Sequence, residues 1–332
     1  MISKKILQQA VNKKIINAEQ LDPLYHFLNN ENADEDINSS EEPLKFIRSF
    51  GDVFITLGVI LLAISINMAN LSGYFAILPV VGFIVVAEWL VRIRRLALPG
   101  IAILLSMLFF VNKAVVIESE TTTITSLAII SLTSLLFYIR YKMPFSLLPL
   151  AAGLVAIAIN QIGMDTLKTP IIFAVFGLLV FVVALWFDSK DTKRLTHLSD
   201  SAFWLHLLAA PMIVHGVMVS MLVSEQPLFT AINKEIFIFI FFAAFFLLAL
   251  FVDRRAMLIS TQLYVIYALT QLLQDKITST QDVMIYILIA LGLFVIYFGA
   301  YWYKTRRFVF GFLSGGIISR YVPDFNINDV KK

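Results

Sequence analysis

Residues 50–68 read FGDVFITLGVILLAISINM, a run of 19 residues in which Asp52 is the only charge. An α-helix needs about 20 mainly apolar residues to cross a hydrocarbon core about 30 Å thick. Lipid offers no hydrogen-bond partner to a backbone amide, so a run of this kind must be helical. The stretch therefore predicts a helix that spans a membrane.

The rest of the chain repeats this pattern. Of its 332 residues, 59% are hydrophobic and 15% are charged, whereas a soluble domain carries about 25% charged residues. We predict an all-α integral membrane protein with ten transmembrane helices in five hairpins, numbered here as segments one to ten. Their predicted bounds are 50–68, 74–91, 96–116, 122–139, 144–162, 170–187, 201–223, 235–252, 256–273 and 282–303.

Basic residues alternate along the connections between these segments. Those that follow segments two, four, six, eight and ten contain arginine and lysine clusters, whereas the others have single lysines among acidic residues. Arginine and lysine are retained on the cytoplasmic side, so the alternation predicts that both termini are cytoplasmic. The clusters are Arg92, Arg94 and Arg95; Arg140 and Lys142; Lys190, Lys193 and Arg194; Arg254 and Arg255; and Lys304, Arg306 and Arg307.

The segments divide the chain into four regions. Residues 1–28 predict a short cytosolic pair of amphipathic helices, the second starting at Asn17 with Gln20 as its capping-box partner. Residues 29–43 are acidic and predict a flexible linker. Residues 44–307 form the predicted ten-helix transmembrane domain. Residues 308–332 predict an interfacial segment and a polar tail.

Composition and motifs narrow the possible functions. A net charge of +3 gives no argument for nucleic acid, and the absence of cysteine excludes disulfides, iron–sulfur clusters and thiolate metal sites. The chain has no H-E-x-x-H, G-x-S-x-G or P-loop pattern. An enzyme is therefore the less economical interpretation, and we predict no catalytic residue, no metal and no cofactor.

A polar site is predicted where segments seven and nine lie near mid-membrane. His215 is the ionisable residue closest to the midplane, four residues after Pro211, and ionisable residues at that depth are costly. It is interpreted as a buried hydrogen-bonded histidine, a proton or substrate site, or a copper ligand with Met212 and Met218. Segment nine contributes a polar face with Tyr264, Tyr267 and Gln271.

Three further polar residues are weaker candidates. His206 lies near the cytoplasmic end of segment seven, and Lys113 lies near the outer end of segment three, where it can extend to the surface. Glu88 precedes Arg92 by four residues, which favours an ion pair on one helix face. In segment one a seam of small residues predicts close approach of another helix; it consists of Gly51, Gly58 and Ser65.

The order of these parts resembles that of a known group. The stretches KKIINAEQLDPL (residues 13–24), FGDVFITLGVILLAISIN (50–67) and RRFVFGFLSGGIISRYVP (306–323) resemble uncharacterised bacterial multi-pass membrane proteins, a domain-of-unknown-function family. The resemblance implies a bacterial inner membrane and transfers no functional residue. The ten-helix layout is also similar to the drug/metabolite transporter superfamily, although the chain has only 14 glycines and no clear duplication.

Two functions follow as hypotheses. The first is a small-solute transporter or channel-like protein with its polar site between segments seven and nine and an unknown small-molecule ligand. The second is a membrane scaffold or sensor that acts through residues 1–28 and partner proteins. In both, the lipid bilayer is the immediate surrounding.

Overall fold

The chain is helical throughout the part that can be described. The computed structural model describes residues 4–13, 15–25, 47, 49–71, 73–115, 123–163, 168–192, 194, 196–223, 234–274, 280–313 and 321–323, and these contain no strand. Contacts divide the chain into two units, Met1–Leu44 with Asn326–Lys332, and Lys45–Phe325.

The first unit contains two short helices, α1 (Lys4–Asn12) and α2 (residues 18–25). The backbone N–H of Asn17 donates to Oε1 of Gln20 at 3.0 Å, so the predicted capping interaction before the second helix is confirmed. The predicted acidic linker, residues 29–43, lies outside the described residues.

The second unit contains ten helices within the described residues, and predicted segments one to ten correspond to α3 to α12 in order. Helix α4 continues as a π-helix over Glu88–Ile93, and α12 has non-helical torsion angles at Tyr301. The helices are α3 (Phe50–Met68), α4 (Ile77–Ala87), α5 (Ala97–Val115), α6 (Thr123–Tyr141), α7 (Leu147–Ile162), α8 (Lys168–Lys190), α9 (His197–Val223), α10 (Lys234–Val252), α11 (Ile259–Gln274) and α12 (Thr280–Phe310).

Seven helices in the described ranges are long and apolar enough to cross a bilayer, namely α3, α5, α6, α7, α8, α9 and α12. Their outer faces are apolar: on α3, Leu61 and Ile64 are about half exposed, and on α12, Leu293 and Ile296 are more so. Soluble proteins rarely expose apolar patches of that extent. The prediction of an all-helical chain with several helices long and apolar enough to cross a membrane is confirmed.

Two hydrophobic cores hold this unit together. The first lies among α3 to α6 and includes Phe83, Ile103 and Phe110. The second lies among α7 to α12 and includes Met218 and Leu250. The two predicted polar segments, seven and nine, both belong to the second core.

Helices α8 and α9 approach each other at glycines. A Cβ atom added to Gly216 would lie 2.5 Å from the carbonyl oxygen of Pro170, and one added to Gly177 would lie 2.9 Å from the backbone nitrogen of Ile213. In contrast, a Cβ on Gly58 would meet no atom within 4 Å. The predicted small-residue seam on segment one is therefore wrong within this chain, because Gly58 lies on an exposed face.

Several contacts place the basic clusters at one end of the bundle, called here the basic end. Arg140 at the end of α6 contacts Glu88 at the end of α4. Arg254, between α10 and α11, contacts Asp188 near the end of α8. The last turns of α12 reach the same end, and α12 continues to Phe310, past the predicted end of segment ten at residue 303.

Candidate functional site

The predicted polar site contains one direct contact between α9 and α11. Nδ1 of His215 lies 2.6 Å from the hydroxyl of Tyr264, a hydrogen bond whose direction depends on the histidine tautomer. The ring centroids are 6.3 Å apart, and the ring of Phe173 from α8 lies edge-on to the imidazole at the same distance. His215 is exposed and Tyr264 is partly buried. His215 is therefore hydrogen-bonded, but the interpretation of it as a buried histidine is wrong, because no neighbouring element among the described residues covers it.

The structure brings together two of the four residues predicted for this site. Tyr267, three residues along α11, is exposed. Gln271 lies in α11, but its side chain is outside the described residues. The pair of His215 and Tyr264 is therefore the part of the predicted site that geometry supports.

The copper interpretation conflicts with the surroundings of His215. Met212 and Met218 are buried, with 3% and 1% of their surface exposed, and both belong to the second core. His215 points instead to the exposed side of α9. The two thioethers are core residues and do not form a ligand set with this imidazole.

A buried ionic cluster lies at the basic end, about 13 Å along α9 from His215, nine residues at 1.5 Å each. Nε2 of His206 lies 2.8 Å from Oδ2 of Asp188. The guanidinium of Arg254 contacts both carboxylate oxygens of Asp188 and donates to the carbonyl of Ser199 at 3.0 Å. His206, Asp188 and Arg254 are each at most 4% exposed. This triad joins α8, α9 and the α10–α11 turn.

A second buried ion pair extends the cluster toward α12. Nη1 of Arg194 lies 3.1 Å from Oδ2 of Asp253, and its Nη2 donates to the Asp253 carbonyl at 2.7 Å. The indole N–H of Trp302 donates to Oδ1 of Asp253 at 2.6 Å. Arg306, one turn later, donates to the carbonyl of Leu250 at 2.9 Å. The basic ends of α8, α10 and α12 are therefore linked by charged hydrogen bonds.

In this cluster the buried carboxylates and the buried cationic side chains neutralise one another. A buried charge is stable only when it is paired and its remaining donors or acceptors are bonded. Asp188 meets this condition through His206 and Arg254, and Asp253 meets it through Arg194 and Trp302. Nδ1 of His206 is buried without a hydrogen-bond partner among the residues that the structure describes. This nitrogen is the one part of the triad left unsatisfied there.

Sequence reasoning assigned most of these residues elsewhere. Arg194, Arg254 and Arg306 appear in the sequence prediction only as members of the cytoplasmic basic clusters, and His206 only as a weak candidate. The signal that distinguishes them is the acidic content of the same connections, because Asp188, Asp191 and Asp253 lie among the basic residues. Opposite charges this close to apolar helix ends favour buried pairs over a purely cytoplasmic basic patch.

The two remaining candidates lie outside this region. Glu88 accepts from Arg92 at 3.1 Å, so the predicted pair is present, and it also binds Arg140 at 2.8 Å and the hydroxyl of Tyr141 at 3.1 Å. Nζ of Lys113 donates to Oδ1 of Asn67 at 3.0 Å, which joins α5 to the end of α3. Both contacts tie neighbouring helices at exposed positions.

Comparisons with known proteins identify no related site. No family model matches the chain, and searches of curated proteins and of solved structures found no match. The resemblance to bacterial membrane proteins of unknown function thus stays an expectation. Among the described residues, no group of three or more histidine or carboxylate side chains is arranged to hold a metal ion.

Proposed function

We propose that this protein is a small-solute transporter whose polar site lies at His215 and Tyr264. The observation that supports the proposal is a difference in burial between two positions along α9. At the basic end α8, α9 and the α10–α11 turn are joined by the buried triad of Asp188, His206 and Arg254. About 13 Å further along α9 the polar pair is exposed. A site open at one level and closed at the other is what alternating access requires.

The proposal includes a topology of ten crossings with both termini in the cytoplasm of a bacterial inner membrane. Three described helices fall outside the set of seven long apolar ones: α4 and α11 have 11 and 16 residues, and the apolar part of α10 is Ile236–Val252. Short 3-10 or π segments extend α4 and α11. The π-helix carries α4 on to Ile93, and Arg255–Leu258 leads into α11. Residues 77–93 would span about 25 Å at 1.5 Å each. Charge alternation supports the orientation, since cytoplasmic connections retain arginine and lysine.

The exposed imidazole of His215 and the partly buried hydroxyl of Tyr264 favour a small solute with hydrogen-bonding groups. An imidazole and a phenol can each donate or accept a hydrogen bond. Such a pair can exchange a bond to water for a bond to the solute without leaving a buried charge unpaired. The ligand class is therefore a polar, uncharged or weakly charged small molecule.

Flux into proteoliposomes tests this function. The probes are defined mixtures of amino acids, sugars, nucleobases and organic acids, followed by mass spectrometry. We expect uptake of at least one class by the unaltered protein, and its loss in His215→Ala and Tyr264→Phe. Tyr286→Phe is the matched control, because Tyr286 is an exposed tyrosine on α12. No flux of any class would contradict transport, and equal flux in all variants would contradict the assignment of the site to His215 and Tyr264.

A scaffold or sensor function is the second candidate, supported by the separate first unit. Residues 1–44 belong to their own unit, and beside the capped start of α2 lies a surface recess lined by Ile16, Pro23 and Leu24. If this candidate is correct, deletion of residues 1–28 in cells will reproduce the phenotype of the full deletion. His215→Ala will then behave as the unaltered protein.

A further inference from the structure

A groove lies between α11 and α12, and none of its lining residues belongs to the polar pair of His215 and Tyr264. It encloses about 250 Å³ and is open on one side. One wall comes from the start of α11 and the turn before it, including Arg255, Leu258 and Gln262. The other comes from one face of α12, including Phe294 and Phe298.

Arg255 gives this groove a charged end. Its Nη1 donates to the carbonyl of Gly299 at 3.3 Å, and its guanidinium lies 5.6 Å from the ring centroid of Trp302 and 5.0 Å from that of Tyr303. Two aromatic rings and one carbonyl hold the group in place at the mouth. In the part of the chain that the structure describes, no carboxylate pairs with it, so most of its five N–H donors are available.

The neighbouring arginines differ from Arg255 in this respect. Arg254 is buried against Asp188, and Arg306 is buried against backbone carbonyls. Lys304, in contrast, is exposed one turn beyond Gly299 on α12. The groove therefore has a positive mouth at the basic end and an apolar body that runs about 12 Å along α12, from residue 294 to residue 302.

We propose that this groove binds an anionic phospholipid of the leaflet at the basic end. The phosphate would accept charge-assisted hydrogen bonds from Arg255, which matches phosphate geometry better than lysine does. One acyl chain would lie along Phe294 and Phe298. Basic pockets between transmembrane helices are known to bind acidic lipid headgroups. The proposal does not depend on transport, because it uses none of the residues assigned to the polar site.

A second groove supplies an internal contrast. It encloses about 320 Å³ between α7 and α8, and its lining is apolar, with Leu150, Leu154 and Leu179 among its residues. A lipid chain in that groove would find no charged partner in the lining. Headgroup preference should therefore come from the groove at Arg255.

Native mass spectrometry of the full chain with added lipid tests the proposal. The probes are phosphatidylglycerol and phosphatidylcholine with identical acyl chains, and glycerol phosphate as a free headgroup. We expect preferential binding of phosphatidylglycerol and no competition by glycerol phosphate. Arg255→Ala should weaken that binding by about tenfold or more, the loss of one charged hydrogen bond. Equal binding of the two lipids, or full competition by glycerol phosphate, overturns the proposal.

Substitutions at two glycines of α12 test the contribution of the groove's shape without changing any charge. Gly299 lines the groove, and a Cβ there would meet no atom within 4 Å, so Gly299→Leu directs a side chain into the groove from an unhindered Cβ position. Gly292 is equally open, on the same helix, and outside the groove lining. We expect Gly299→Leu to lose the preference and Gly292→Leu to retain it.

Two further variants control for the loss of any surface arginine and for the charge at position 255. Arg94→Ala removes an arginine that lies over Trp89 at 5.5 Å, away from this groove, and should bind lipid as the unaltered protein does. Arg255→Lys keeps the charge and should retain part of the preference. Unchanged binding in Arg255→Ala, or equal losses in Arg94→Ala and in Gly292→Leu, would overturn the assignment of the site.

Discussion

Two histidines of α9, His206 and His215, lie nine residues apart and have opposite surroundings. His206 is fully buried and hydrogen-bonded to Asp188, which is itself paired with Arg254. His215 is exposed and hydrogen-bonded to the uncharged Tyr264. The difference teaches that burial along one helix depends on what packs against each position. Packing of neighbouring helices closes the basic end, whereas the middle of the helix is left accessible.

The largest expected effect comes from breaking the buried end. Arg254→Ala leaves the Asp188 carboxylate buried with only His206 and should destabilise the protein by about 3–5 kcal/mol. The free energy of unfolding in mixed detergent micelles measures this. Asp188→Asn combined with Arg254→Met removes both charges, and its loss should be smaller. A single-variant loss below about 1 kcal/mol, the range of exposed pairs, would show that the cluster is hydrated.

An intermediate effect is expected where α8 and α9 meet beside His215. Gly216→Ala places a methyl group 2.5 Å from the carbonyl oxygen of Pro170, and such overpacking costs about 1–3 kcal/mol. The same unfolding measurement applies. Gly58→Ala is the control, and it should gain about 0.5–1 kcal/mol because its Cβ meets open space in a helix. A neutral Gly216→Ala would mean that α8 and α9 are not in close contact there.

The smallest effect on stability is expected at the polar pair. Tyr264→Phe removes one side-chain hydrogen bond at a partly buried position, so its cost should stay at or below about 1 kcal/mol. Solute flux in the same variant should fall sharply. A large stability loss with unchanged flux would reverse the assignment and make the pair a structural contact.

These differences also show how far sequence reasoning reaches. Hydropathy was sufficient for helices such as α3, because the bilayer imposes a length on every crossing. The contact of His215 with Tyr264 was foreseen only as a polar neighbourhood of two segments. The burial of Arg254 and Asp188 was missed because it depends on how α8, α9 and α10 pack against one another. No local pattern encodes that arrangement, and the acidic residues among the basic ones were the only trace of it.

The same limit explains the wrong seam on segment one. Gly51, Gly58 and Ser65 repeat every seven residues, which indicates a face of small side chains but not what covers it. In the structure the close approach occurs instead at Gly177 and Gly216, which have no such repeat. Spacing within one helix does not identify the helix that packs on it.

The central claim is that His215 is reached by water while the cluster at the basic end is sealed. The chain contains no cysteine, so single cysteines can be introduced into the unaltered background at His215, at the buried Ser201 and at the exposed Gly58 in the middle of α3. A charged thiosulfonate applied to open membrane fragments, which present both faces, should modify His215→Cys rapidly and should leave Ser201→Cys and Gly58→Cys unmodified. If His215→Cys reacts no faster than Gly58→Cys, the polar pair faces lipid and the account is contradicted.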